Sequence, residues 1–587
     1  MTADRGHTQL GGISAAPGVA IGRALIYSKE VPAISRRRVA PEQVAAEEER
    51  FLSTLHQAAE EIRRTRRLVA AEQGPELAQI FDAQLAMLQD VVLVDQTLTW
   101  IRQKHYVAER AFSLTLQQMK KRFASIEDDY LRQRLSDVVD IEHQVLIRLA
   151  GGEVQALQSL RTNTVVVAHE LLPSESVQLG RRLITGLVLD VGGPTSHTAI
   201  IARSLGLPTV LGTGAASRLV EAGDLVVVDG NHGQVHIRPG RQVLRDYRGQ
   251  LRRQRARERA LSSRSFLPAV TTDGVQVTLM ANIDVPAELK VAAANGAHGV
   301  GMYRTEFLFM GYRLPTEEEQ LAAYTRIVEE SAPHPVTIRT VDMGGDKLAP
   351  FMDSPPESNP FLGWRGIRIC LDTPDLFRTQ LRALLRAGAR GPVRILLPMI
   401  SHLEELRRTR ALIEQSCVEL GAQGLEHCAD CPVGIMVEVP SVALLADHFA
   451  READFFSLGT NDLIQYTLAV DRGTSRVAQL YDPFHPAVLQ LIRRVADSGR
   501  RHRIATSICG EMAGDPLTTV LLLGLGVQSL SMSPGMIPEV KEVVRSVSQA
   551  EVRRIAEDCL RLRTGAEVRQ RLGHADPSPS GTLDTGE

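Results

Sequence analysis

The chain has 587 residues, 44% of them hydrophobic and 23% charged, which is too long for one ordinary domain and too apolar for disorder, so two to four folded domains are expected. Its 67 basic and 69 acidic residues nearly cancel, which argues against a global field drawing it to nucleic acid or an anionic membrane. The polar stretch Met1 to Leu10 has no apolar signal core and no run of about 18 uncharged apolar residues follows, so a cytoplasmic protein without membrane insertion is expected. The six cysteines, at 370, 417, 428, 431, 509 and 559, show no secreted-type framework and are expected to be reduced.

In chain order, Ile13 to Tyr27 reads as strand around a Pro17-Gly18 turn. Glycine and proline are then missing from Glu42 to Gln73, and again from Glu76 until Gly151, while Leu77, Ile80, Phe81, Leu85 and Leu88 recur at helical spacing. That pattern predicts a helical hairpin or small bundle over 35–150. Short β-branched runs return at Thr164 to Ala168, Leu183 to Val191 and Leu225 to Asp229, so the helices are expected to interrupt a discontinuous α/β domain formed by 1–34 and 151–240. Residues 241–264 carry nine arginines. Interleaved aromatics are nearly absent there, which favours a solvated connecting helix over a nucleic-acid contact.

From 265 to 572 the pattern alternates strand and helix, with apolar strands near 275–284, 298–304, 336–342, 393–400, 432–438, 454–459, 504–510 and 527–532. Eight such units predict a closed (β/α)8 TIM-like barrel, making the whole chain a multidomain α/β protein. The polar, proline-rich residues 573–587 read as a disordered tail.

Barrel chemistry sits at the carboxyl ends of the strands, and here those ends are charged: Arg304 to Glu306, Arg339 to Asp342 with Lys347 beyond, Glu438, Asn461 to Asp462, and Cys509 to Glu511. Arg304, Arg339, Lys347 and Arg472 offer donors for a small polyanion, whereas Glu438 and Asp462 are hard oxygen ligands of the kind magnesium takes. The expected ligand is a small phosphorylated acid. Cys509 stands where a protonated thiol could donate a proton. Cys428 and Cys431 form one CxxC beside His427; a single pair reads as ordinary structural thiols on the side of the barrel away from the mouth.

The second constellation runs Gly192-Gly193-Pro194-Thr195-Ser196-His197 and on to Arg203. A strand ends near Val191, two glycines permit a tight turn, and Thr195 or Ser196 can cap a helix that begins there. His197 would then lie in a first helical turn, where free N–H groups favour an anion and a neutral imidazole can attack phosphorus. No P-loop lysine motif is present.

The segment Gly192 to Gly212 resembles the phosphohistidine domain shared by Enzyme I, pyruvate phosphate dikinase and phosphoenolpyruvate synthase. Gly301 to Met310, Thr337 to Lys347, Asn359 to Arg368, Gly434 to Pro440, Phe455 to Arg472 and Cys509 to Asp515 look like the phosphoenolpyruvate-binding barrel of that group. The two synthases carry an ATP-grasp domain for which this chain has no room, and only about 12 residues precede the first motif, where a sensory GAF domain would stand in the nitrogen-related paralogue. The helical insert, with Asp137 to Ile141 near its end, resembles the domain by which Enzyme I docks the histidine phosphocarrier HPr. The family implied is therefore the phosphoenolpyruvate-protein phosphotransferases of bacterial sugar uptake. The resemblance implies His197 as the phosphorylated residue; Arg304, Arg339, Arg365, Asn461 and Arg472 as phosphoenolpyruvate ligands; Glu438 and Asp462 as Mg2+ ligands; Cys509 as acid; and a homodimer through the barrel. Two positions depart from the family pattern. Pro194 stands where arginine is common, which bears on phosphate contacts, and Gln84 replaces a histidine of the docking helices, which bears on carrier specificity.

Overall fold

A computed structural model of the chain describes residues 6–27, 37–72, 80–124, 129–150, 163–171, 175, 184–193, 197–204, 206–309, 313–344, 357, 359–471, 474 and 476–573. The tail expected to be disordered falls outside them. The chain divides into two compact units, Met1–Arg257 and Glu258–Glu587, the division lying within the long, mostly exposed helix Arg241–Ser262.

The first unit is built on an eight-stranded sheet. Its strands are β1 (Thr8–Gly11), β2 (Ile13–Ala16), β3 (Val19–Tyr27), β4 (Thr164–Ala168), β5 (Ile184–Leu189), β6 (Thr209–Leu211), β7 (Leu225–Asp229) and β8 (Gln234–Ile237), in the spatial order β1-β8-β7-β3-β4-β5-β6-β2. β3 to β6 run parallel, and antiparallel strands flank them. Every residue of β4 is buried, because apolar clusters cover both sheet faces; that is why Thr164-Val-Val-Val-Ala168 is a continuous rather than an alternating apolar run. β2 and β3 part at the expected Pro17-Gly18 turn, where the φ of 118° at Gly18 is open chiefly to glycine.

Between β3 and β4 in the sequence lie the helices Val44–Glu72, Ile80–Leu88, Val91–Lys104, Ala108–Ala124 and Asp129–Leu149. Phe81 and Leu88 of the expected stripe are buried. Around the helix Val91–Lys104 the breaks come without glycine or proline: Asp90 caps it by accepting from Val92 N at 2.7 Å and Leu93 N at 3.2 Å, and His105 closes it in the left-handed conformation at φ 54°.

The second unit is a closed barrel of parallel strands, β9 (Thr278–Ile283), β10 (Val300–Tyr303), β11 (Val336–Arg339), β12 (Val393–Leu397), β13 (Val433–Val437), β14 (Phe455–Leu458), β15 (Ala505–Ile508) and β16 (Ser529–Met532), with β16 pairing back onto β9. The eightfold pattern in the sequence is thus the barrel it implied. Helices such as Glu317–Ser331, Leu403–Ala422 and Pro486–His502 surround it. The first of these starts at a capping box in which Thr316 and Glu319 satisfy each other's backbone donors. The main core lies between barrel and helices, which leaves the strand ends to carry polar groups.

Candidate active site at the barrel mouth

Arg339 is the last residue of β11 and is only 7% exposed. Its Nη2 donates to Glu306 Oε1 at 2.6 Å, and its Nη1 lies 3.1 Å from Asp342 Oδ2. Burial opposes the charge, but Glu306, Asp342 and Glu438 more than offset it and keep the guanidinium protonated. Arg365, 8% exposed, donates from Nη2 to Asp342 Oδ2 at 3.0 Å and to Asp462 Oδ2 at 3.3 Å, and from Nη1 to the Tyr466 hydroxyl at 3.2 Å. Arg304, at the end of β10, reaches Asp284 Oδ1 at 2.6 Å and remains about a third exposed; its charge and that of Arg339 repel. Three guanidiniums therefore converge on one end of the barrel.

The two buried arginines each keep a donor in reserve: Arg339 Nε and Arg365 Nε are buried without a hydrogen-bond partner among the described residues. Leaving such donors unpaired costs free energy. An anion within reach of such a donor would satisfy it, so the setting suits a carboxylate or phosphate. The position of Arg365 depends on Gly366, whose φ of 56° and ψ of −128° exclude other residues and where a Cβ would come within 2.9 Å of Met399 Cβ.

Glu438 follows β13 and is 2% exposed, its Oε1 accepting from Met399 N at 2.6 Å. Burial, and after it the charges of Asp462 and Asp342, push its pKa well above the usual carboxylate range against the pull of Arg339 and Arg365. Hard oxygens crowded at such a cost fit a divalent cation, which would relieve the repulsion. No group of three or more His, Cys, Asp or Glu among the described residues has metal-holding geometry. Glu438 and Asp462 are the oxygens that could hold such a cation, with substrate and water oxygens filling its remaining positions, as is common for magnesium.

Cys509 follows β15 and is 3% exposed among Met302, Leu396, Met436 and Phe455. The Ser457 hydroxyl donates to its sulfur at 3.2 Å, and the thiol donates to Leu458 O at 3.5 Å. Burial pushes the thiol up to about 11, partly countered by the Ser457 hydrogen bond, so the proton stays on sulfur at neutral pH.

Among the other predicted ligands, Asn461 makes a reciprocal pair with Glu511, Nδ2 to Oε1 at 3.2 Å and Glu511 N to Oδ1 at 2.9 Å. Lys347 and Arg472 lie outside the described residues. Sequence reasoning missed Asp284, Ser457 and Tyr466. Asp284 had a usable signal, since it follows β9 as the other charged residues follow their strands; Ser457 inside β14 and Tyr466 on the helix Thr460–Leu468 had none.

In the first unit, the helix His197–Ser204 begins at the predicted histidine, after β5 and the Gly192-Gly193 turn. Pro194 to Ser196, including both expected caps, and the side chain of His197 are outside the described residues. The neighbouring loop is organised by Asp190, 4% exposed, which accepts from Thr213 Oγ1 at 2.8 Å and from Ser217 N at 3.3 Å. Burial alone would raise the Asp190 pKa, but the Ser217 and Thr213 hydrogen bonds hold it below the usual range.

Gln84, which departs from the family pattern, lies on the helix Ile80–Leu88. It is fully buried and donates from Nε2 to Asp140 Oδ2 at 2.9 Å, so its amide props up the helical block and no part of it is offered at the surface.

The chain matches the N-terminal domain of PEP-utilising enzymes over residues 11–134, their mobile domain over 160–233 and their PEP-binding domain over 258–549. These matches define the class as a multidomain PEP-utilising enzyme. It is 41% identical to the phosphoenolpyruvate-protein phosphotransferase of Bacillus sp. (strain S), over 95% of this chain and 96% of that protein. It is 40% identical to the enzyme of the same name from Haemophilus influenzae, over 96% and 98%. An NMR structure of Enzyme I (nEIt) is 35% identical over 41% of this chain and 97% of its own, at a TM-score of 0.37. The chain belongs to the phosphoenolpyruvate-protein phosphotransferase family.

Proposed function

We propose that the protein takes the phosphoryl group of phosphoenolpyruvate onto His197, releases pyruvate, and passes the group to the carrier HPr as the first step of sugar uptake. It works in the cytoplasm as a homodimer joined through its barrels, with Mg2+ held by Glu438 and Asp462. The observation that carries the reading is the pair of buried arginines, Arg339 and Arg365, each with an unused Nε at the mouth of the barrel. Together with Arg304 they match a small molecule bearing both a carboxylate and a phosphate, the pairing found in phosphoenolpyruvate. Asn461, Lys347 and Arg472 complete the ligand set by family resemblance.

In this mechanism Arg304, Arg339 and Arg365 orient the substrate and neutralise charge on the transferring group, which is most of what phosphoryl transfer asks of a protein. Bound Mg2+ would add Lewis-acid charge neutralisation on the phosphate and carboxylate oxygens. His197, in a first helical turn whose free N–H groups favour an anion, forms the new N–P bond as the bond to the enol oxygen breaks. The electron pair left on that oxygen collapses to a carbonyl while Cys509 gives its proton to the methylene carbon, yielding pyruvate and a thiolate that water reprotonates. His197 belongs to the first unit and the arginines to the second, so transfer requires a state in which the two meet.

The test is pyruvate release from phosphoenolpyruvate with Mg2+ and HPr and without ATP. Arg339→Lys keeps the charge but loses the planar fork, and should lower kcat/KM by about tenfold or more, as expected when a charge-assisted hydrogen bond is lost. Tight binding without pyruvate release by the unaltered protein would make it a sensor instead of an enzyme.

A further inference from the structure

The CxxC left unused by the reaction stands in a setting that its spacing alone did not reveal. The chain turns at Ala429-Asp430, and a turn of that length brings its ends within about 7 Å, near the separation a disulfide bridges. Each end is fixed by a different element. Cys428 N donates to Leu385 O at 2.9 Å, tying it to the end of the helix Pro374–Ala387, and Cys431 precedes β13, where Pro432 O accepts from Ile395 N at 2.8 Å. Both side chains rest on Gly388. A Cβ there would come within 2.7 Å of Cys428 Cβ and 2.8 Å of Cys431 Sγ, with Cys428 Sγ at 3.6 Å, so the missing side chain is the space into which the two sulfurs fold together.

The two thiols also differ in access. Cys428 is half-buried, whereas Cys431 is 7% exposed. A third thiol, Cys417 on the helix Leu403–Ala422, lies near enough that Cys428, after burial, helps push it up. All six cysteines are free. The absence of any metal-holding group of three or more His, Cys, Asp or Glu among the described residues favours thiol chemistry here over a zinc site.

We propose that Cys428 and Cys431 form a reversible oxidation site, a dithiol that hydroperoxides convert to a disulfide. In the first step the Cys428 sulfur attacks the peroxide O–O bond, giving a sulfenic acid and releasing water (an alcohol, if the oxidant is an alkyl hydroperoxide). In the second, the Cys431 sulfur attacks the Cys428 sulfur, the S–S bond forms, and the sulfenic oxygen leaves as a second molecule of water. The peroxide gains the two electrons that the thiols lose. Thiol–disulfide exchange with dithiothreitol returns both electrons and restores the pair. The half-exposed thiol is the one an oxidant meets first, and the buried one then captures the sulfenic acid before further oxidation.

The experiment treats the full-length protein with hydrogen peroxide and follows intact mass, free thiols and a non-reducing peptide map. The expected result is loss of two hydrogens in mass and of two titratable thiols, a Cys428–Cys431 cross-linked peptide, and full reversal by dithiothreitol. Cys428→Ser and Cys431→Ser should each abolish the cross-link, with Cys431→Ser accumulating a sulfenic acid trapped by dimedone; Cys417→Ser should leave it unchanged. Because the unaltered protein alone shows the cross-link, a variant that fails to fold does not weaken the test. No cross-link, mass gain by oxygen in place of hydrogen loss, a Cys417–Cys428 pairing, or stoichiometric zinc in the purified protein would each overturn the proposal. The outcome does not depend on phosphotransfer, so it stands or falls separately from the reaction assigned above.

Discussion

Cys509 illustrates how one environment both suits a residue to its proposed task and limits it. Burial among apolar side chains pushes its thiol up to about 11, compared with about 8.5 for a free cysteine. It therefore stays protonated, and able to act as an acid, through a range in which an exposed thiol would already have ionised. The Ser457 hydroxyl works the other way, because it donates to sulfur and stabilises the thiolate. In Ser457→Ala the pKa should rise further. Pyruvate formation should slow at neutral pH, and the alkaline limb of its pH–rate profile should move to higher pH; a limb that stays in place or moves down would show that Cys509 is not the acid. Cys509 itself was legible from its place at a strand end, as were Arg304, Arg339 and Glu438. Ser457 was not, since a buried serine inside a strand carries no pattern. Gln84 stood out as a departure from the family pattern, but its burial against Asp140 depends on a packing angle that the sequence alone does not reveal.

At the scale of elements, the barrel was the most legible part, because eight apolar runs separated by helical stretches allow few architectures. The helical block between β3 and β4 was legible as helical and opaque in its breaks. With no glycine or proline from Glu76 until Gly151, the helix Val91–Lys104 is set off by Asp90 as an N-cap and His105 in a left-handed turn, residues common enough elsewhere to give no warning. β1, β6 and β8 escaped notice because three or four residues are too few to show a period. The cap can be tested. Asp90→Ala removes the acceptor for two backbone N–H groups and should lower stability by about 1 kcal/mol, read as a drop in the denaturation midpoint of the first unit, with the binding of phosphoenolpyruvate unchanged.

For the whole molecule, the sequence set out two candidate sites in different segments, and those segments belong to two compact units, each with its own core. Binding and acceptance should therefore be separable. A fragment of residues 258–587 should bind phosphoenolpyruvate and gain about 2.7 kcal/mol of stability at a hundredfold excess over Kd, seen as a raised Tm, yet retain no phosphate. A fragment of residues 1–257 should take none from phosphoenolpyruvate directly. The central claim is that His197 receives the phosphate. Its most direct test is a single-turnover incubation of the full-length protein with phosphoenolpyruvate labelled in its phosphate, with Mg2+ and without ATP, followed by peptide mapping. The account predicts stoichiometric, acid-labile and base-stable label on His197 that unlabelled HPr removes. Label that persists in His197→Ala, or none in the unaltered protein, would contradict it.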